Sequence, residues 1–313
     1  MAKRTRVWLI IAAVLIVLGL ICCGIAINLA RGDFSKFPTQ EYQTKEYTLS
    51  EDYIAISISA DTADIVFHPS TDGKTRLICR ENVKRPHSVC VEDDFLKISV
   101  QDLTKWHDHI SIGDFYEQEV IDIYLPRDTY NALYIDTDTS DVSINKGFLF
   151  LTMDIKTDTG DVVCASPAGG DMEISTSTGN ITLKELNDAG MPDLETDTGD
   201  ISITDVNCFS LAIESSSGDI TLKNVCASPL TDMGPNFVIN TDTGDIELIS
   251  CDGYSIEIET DSGDVRGSFL TEKRVFAESD TGYIDIPPLP DEFGMGFCKV
   301  KTDTGDICIE IEN

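Results

Sequence analysis

Apolar and polar residues alternate along most of this chain, in runs of about five residues that come in pairs around one repeated turn. Thr157-Asp158-Thr159-Gly160-Asp161-Val162 is one copy, and residues 196–201, 241–246 and 302–307 are near-identical. Looser copies centre on Gly179, Gly218, Gly263 and Gly282. Two early ones carry Ala63 and Ser140 in place of the glycine. From Ser140 to Gly305 the steps are 20, 19, 20, 19, 26, 19, 19 and 23 residues. A fixed period near 20 is the mark of a stacked repeat.

With each turn glycine as position zero, the apolar positions are −7, −5, +2 and +4. Position −5 reads Ile135, Ile155, Ile174, Leu194, Ile213, Ile239, Ile258, Ala277 and Val300; position +2 is always Ile or Val. Period-two alternation means a strand with one buried face. Each repeat is therefore strand, turn, strand. Two five-residue strands cannot bury their own faces, but stacked on identical neighbours about 4.8 Å away they can. The pattern predicts an all-β fold, a parallel β-solenoid (single-stranded β-helix) with about 20 residues per rung. An antiparallel sandwich is the rival, but it has no need to repeat one turn sequence. Glycine third in Asp-Thr-Gly-Asp suits a type II turn with φ > 0. Apolar residues at +7 (Leu186, Val206, Val225, Cys251, Leu270) suggest a further inward corner.

The N-terminus departs from this pattern. Residues 1–6 form a basic tail with Lys3, Arg4 and Arg6. Residues 7–29 then run without a charge, long enough to span a bilayer. The core is too long for a signal peptide and lacks a clear small-residue cleavage site. The basic flank places the N-terminus in the cytoplasm and the rest outside the cell membrane as a single-pass protein. Residues 30–50 read as a stalk. Residues 51–132 hold one repeat-like strand pair and irregular hairpins that cap the array, and residues 133–313 form the regular solenoid.

Charge narrows the partners. The chain carries 55 acidic and 23 basic residues, net −32. That excludes nucleic acid and favours a membrane contact through residues 7–29 alone, with an envelope protein, a glycan or a cationic species as outside partner. The acids stack at positions −2 and +1. Asp197, Asp242 and Asp261 in the first column, and Asp200, Asp245 and Asp264 in the second, are the candidate metal ligands. Calcium is the candidate ion, because it takes six to eight oxygens and would relieve the repulsion between rungs. Solvated turn chemistry explains the same acids, and Ser177, Asn180 and Ser216 interrupt the columns.

Eight cysteines lie beyond the apolar segment. Cys164, Cys251 and Cys298 fall at inward positions; Cys208 with Cys226, and Cys79 with Cys90, could meet as disulfides. Trp106-His107-Asp108-His109 is a dense cluster, read as a polar hairpin tip rather than a metal pair. No nucleophile motif, P-loop or C-x-x-C pair is present, and with this many acids no single carboxylate pair stands out. The chain reads as a non-enzyme without a catalytic residue or cofactor.

The repeated Thr-Asp-Thr-Gly-Asp-Ile, the anchor before it and residues 120–126 leading into Leu133 resemble the bacterial β-strand-repeat family labelled "putative adhesin", a domain of unknown function with LiaG-like members. The resemblance covers residues 50–313. It implies a membrane-anchored parallel solenoid of Gram-positive type and no catalytic residues. The function expected is an adhesion module or an accessory to an envelope-stress system. A cation- or polysaccharide-binding module is the alternative, and a carbohydrate-active enzyme a distant third.

Overall fold

Strand alternation can bury its apolar face only if successive repeats stack in register, and they do. In a computed structural model of the protein, the described residues are 41–103, 118–228, 236–290 and 296–312, together with 12, 14–17 and 19. Among them the strands form two sheets of twelve and thirteen strands. The strand before each turn (Asp171–Thr178, for example) joins the twelve-stranded sheet; the strand after it (Ile181–Leu186) joins the other. Pairing through the array is parallel. Ile155 lies opposite Ile174, which lies opposite Leu194, then Ile213, Ile239, Ile258 and Val300. All seven are buried. Each such side chain contributes about 1.5–3 kcal/mol on leaving water, so the column supplies much of the driving force.

The corner at +7 is also inward for Leu186, Val206, Val225 and Cys251. At the next rung the register shifts after Leu248, so Cys251 pairs with Phe269. Phe269 is buried and Leu270 is exposed, which moves the expected inward residue by one. Just before this corner the backbone turns left-handed at Glu185, Asp205, Asn224 and Ser250, with φ between 53° and 56°. The left-handed turn of the rung lies here, at +6, and non-glycine residues adopt it.

The N-terminal end mixes parallel and antiparallel strands. Ala55–Ala60 and Asp64–Pro69 form a rung stacked in parallel on Thr129–Thr139 and Val142–Ile144. Phe95–Val100 and Val120–Leu125 form a further parallel layer beyond it. Antiparallel strands close the end: Thr75–Asn82 on Val120–Leu125, and His87–Glu92 on Phe95–Val100. Tyr42–Leu49, inside the segment read as a stalk, is a strand paired antiparallel with Thr75–Asn82.

The other end departs from sequential stacking. Phe297–Thr304 lies between Ser255–Ser262 and Arg274–Thr281, and Ile307–Ile311 lies between Val265–Phe269 and Ile284–Asp285. The rung at 297–311 is thus an interior layer, and the rung at 274–285 ends the stack. Its core residues are correspondingly less covered: Val275 is buried, but Ile284 is exposed.

Residues 7–29, expected to span a bilayer, lie outside the described residues except for 12, 14–17 and 19, which are helical. Among the described residues no helix is long and apolar enough to cross a membrane. The 106–109 cluster also lies outside them.

Candidate functional site: the repeated turn

Each residue of the hexapeptide has a separate physical task. The first threonine (−3) is buried in a column that includes Thr157, Thr176, Thr196, Thr241, Thr260 and Thr302. Several of these hydroxyls donate to the turn carbonyl of the neighbouring rung: Thr176 Oγ1 to Gly160 O at 3.4 Å, Thr196 Oγ1 to Gly179 O at 3.2 Å and Thr302 Oγ1 to Gly263 O at 3.3 Å. The aspartate at −2 and the threonine at −1 are exposed.

The glycine answers to its neighbour across the stack. A Cβ built on Gly179 would overlap the carbonyl oxygen of Gly160, and the same holds for Gly199 on Gly179, Gly218 on Gly199, Gly244 on Gly218 and Gly263 on Gly244. Gly199, Gly218, Gly244 and Gly305 have φ of 152–157°, far from the value near +80° of a type II turn. The expected turn type is therefore not the one adopted. Glycine is required because adjacent backbones approach too closely for a side chain, in a region of φ that is almost glycine-only.

The aspartate at +1 builds a ladder. Asp161 Oδ1 accepts the backbone N–H of Asn180, Asn180 Oδ1 that of Asp200, Asp200 Oδ1 that of Asp219, Asp219 Oδ1 that of Asp245, and Asp245 Oδ1 that of Asp264. The ladder starts at Asp64 and Asp141 and continues from Asp264 through Asp306 to Tyr283, every bond between 2.7 and 3.1 Å. Amide-to-carboxylate bonds of this length are charge-assisted. Asn180 supplies the same acceptor from an amide, so it is no interruption.

The six candidate calcium ligands therefore divide. Asp200, Asp245 and Asp264 each commit Oδ1 to the next amide, and Asp264 Oδ2 also pairs with Arg266 Nη2 at 2.6 Å. Asp197, Asp242 and Asp261 stand in the exposed −2 column on the other side of the glycine. The sequence indicated both columns but not the amide ladder; the signal was Asn180, a residue that keeps the acceptor and drops the charge.

Outside the turns, the eight cysteines are free. The proposed pairings Cys208–Cys226 and Cys79–Cys90 are not formed: Cys208 Sγ faces the Cys226 carbonyl at 3.9 Å, and Cys79 is buried while Cys90 is exposed. Burial pushes the thiols of Cys164, Cys208 and Cys298 up to about 12, which fits inert core residues. A concavity of about 460 Å³ adjoins the 26-residue step, lined by Cys226, Asp252, Tyr254 and Lys273 among others. The Lys273 ammonium is almost wholly buried and donates to Asp252 and, at 2.9 Å, to Thr271 Oγ1. That pairing fastens a corner.

Two stacked sheets, a glycine column and an aspartate–amide ladder define a parallel β-solenoid built from one short repeat. Within that class the chain belongs to the Toastrack DUF4097 family, which matches residues 53–229 and 166–313. No curated protein matches the chain. Among solved structures it is similar to a "putative adhesin" of Bacteroides fragilis, at 15% identity and TM-score 0.45, over 88% of this chain and 100% of that one. A "putative lipid binding protein" of Parabacteroides distasonis gives 14% and 0.43 over 88% and 99%. A "putative adhesin" of Parabacteroides merdae gives 10% and 0.26 over 88% and 99%. Likeness at this level carries no argument about ligand or activity.

Proposed function

We propose that the chain is a non-enzymatic envelope protein, anchored by residues 7–29, that displays a rigid acidic solenoid outside a bacterial cell as an adhesion or envelope-interaction module. The observation that carries this reading is the ladder. The carboxylates at +1 each spend an oxygen on a neighbouring rung's amide, so that column serves as building material. The residue types left on display are acids, with a net charge of −32 that favours cationic partners and repels nucleic acid. Protease treatment of intact cells should remove the 41–313 region and spare a membrane-bound N-terminal fragment. Immobilised full-length protein should then capture a component of cell-wall or membrane fractions in a salt-sensitive manner. Protection of the solenoid in intact cells, or turnover of an envelope glycan, would overturn the reading.

A second reading, cation or polysaccharide binding, rests on the −2 column. Its exposed carboxylates stand outside the amide ladder, with Asp242 and Asp261 on adjacent rungs and Asp197 two rungs before Asp242, beyond Ser216.

A further inference from the structure

The N-terminal cap holds a polar cluster unlike anything in the array. Along Thr75–Asn82 the side chains alternate, and Cys79 and Glu81 both point into the core. A four-residue corner then leads to His87, the first residue of the next strand, which belongs to the opposite sheet. The spacing is C-x-E followed after five residues by H. One ligand atom from each of the three residues lies within 4.8 Å of the others. Glu81 and His87 side chains are wholly buried, as is Cys79.

Hydrogen bonding accounts for only part of this cluster. Glu81 Oε2 accepts the backbone N–H of His87 at 2.6 Å and lies 3.1 Å from His87 Nδ1. Its Oε1 accepts from Gln43 Nε2 at 3.1 Å, and Lys45 Nζ stands 3.5 Å away. Tyr47 Oη donates to the His87 carbonyl at 2.8 Å. His87 Nε2, however, is buried without a partner. Nδ1 is the ring nitrogen on the Glu81 side, so it is the one placed to share an ion with that carboxylate, while Nε2 faces the other way.

We propose that Cys79, Glu81 and His87 bind one divalent ion of the zinc class, which staples the two sheets together at the capped end. The donor set selects the ion. Thiolate and imidazole suit zinc or cobalt and are poor ligands for calcium or magnesium. The charges also close: thiolate, carboxylate and neutral imidazole around a divalent cation sum to zero, the condition for burial in an apolar core. Binding releases the thiol proton to solvent, so sulfur exchanges a proton for the metal with no change in redox state. Three protein ligands leave one tetrahedral position for water. This site is distinct from the aspartate columns in place, ligand type and ion.

Cobalt(II) titration of the reduced, metal-stripped full-length protein tests the proposal. One equivalent should raise a thiolate-to-cobalt absorption band in the near ultraviolet, and zinc should abolish it. Cys79→Ser should lose the band, and His87→Gln should weaken cobalt binding at least tenfold. A variant with serine at the three less buried cysteines, Cys90, Cys226 and Cys308, should keep the band, and it tests the assignment even if Cys79→Ser does not fold. Zinc should also raise the melting temperature of the parent in a saturable way. No band in the parent, a band that survives Cys79→Ser, or one lost in the triple variant would overturn the site.

Discussion

The backbone N–H of Tyr283 donates to Asp306 Oδ1 at 2.7 Å, although Asp306 comes 23 residues later in the chain. Every other link of the ladder runs the opposite way, from an earlier carboxylate to a later amide. The reversal marks the rung at 274–285 as the last layer in space. A terminal layer needs no acceptor at +1, because among the described residues no strand pairs beyond it, and the position there is tyrosine.

This predicts unequal costs along one column. Asp219→Ala removes the acceptor for the Asp245 amide and should cost about 0.5–1.5 kcal/mol by urea denaturation. Asp219→Asn should cost less, since Asn180 already fills that role. Tyr283→Ala should stay within about 0.5 kcal/mol. Equal losses at 219 and 283 would remove the ladder from the stability of the fold.

Glycine is fixed by the stack. Gly218→Ala places a Cβ against the Gly199 carbonyl and forces neighbouring rungs apart, at a cost on the order of 3 kcal/mol or more. At Gly73, φ is also positive (+72°), but nothing lies within 4 Å of a built Cβ. Gly73→Ala should cost only about 1 kcal/mol, for the left-handed backbone alone. Paired denaturation curves check the contrast.

In the core, Ile213→Asp buries an unpaired charge between Leu194 and Ile239 and should prevent folding. Ile213→Val should fold and lose about 0.5–1.5 kcal/mol. Solubility and circular dichroism of the two variants separate these outcomes.

Asp193 gives a pH signature. Partial desolvation first, then the charges of Glu173 and Glu214, raise the carboxyl of this otherwise exposed residue above the usual 3.8. A raised folded value means the fold favours the protonated acid. That stability is full below the unfolded pKa and is lost as pH rises through the folded one. Asp193→Asn should therefore raise the melting temperature at pH 7, with the gain shrinking as pH falls toward 3.8. A gain independent of pH would point to packing instead.

Calcium is decided by mass action. If the aspartates serve as solvated turns, EDTA leaves the melting temperature unchanged, and sodium chloride raises it modestly by screening. That is the expected result. A saturable rise with millimolar calcium, absent at matched ionic strength and blunted by Asp242→Ser, would move the second functional reading to first place.

Much of this architecture is legible in the sequence because one-sided burial imposes a period. The isoleucine column from 155 to 258 follows from alternation, and the glycine column from a fixed step. The local geometry at the glycine was less legible. Asp-Thr-Gly-Asp suits a type II turn, and only the neighbouring rung reveals that a steric limit, rather than φ near +80°, excludes a side chain. The genuinely left-handed residues, Glu185, Asp205, Asn224 and Ser250, carry no shared glycine to announce them. The order of the final rungs was hidden as well, because the two repeats fit the same columns and periodicity does not say which neighbour each will choose. Tyr283 was the one local sign. The Cys79–Glu81–His87 cluster was out of reach because its third residue joins the other two only when the corner folds back across the sheets.

The interleaved rung also bears on synthesis. A chain emerging from the ribosome or a translocation pore delivers residues 274–285 before 297–311, yet the earlier segment packs outside the later one. It must either wait undocked or occupy the neighbouring position and be displaced. A solenoid that could otherwise grow one layer at a time as it emerges thus reaches its finished order only once the later segment has arrived and slipped in beneath its predecessor.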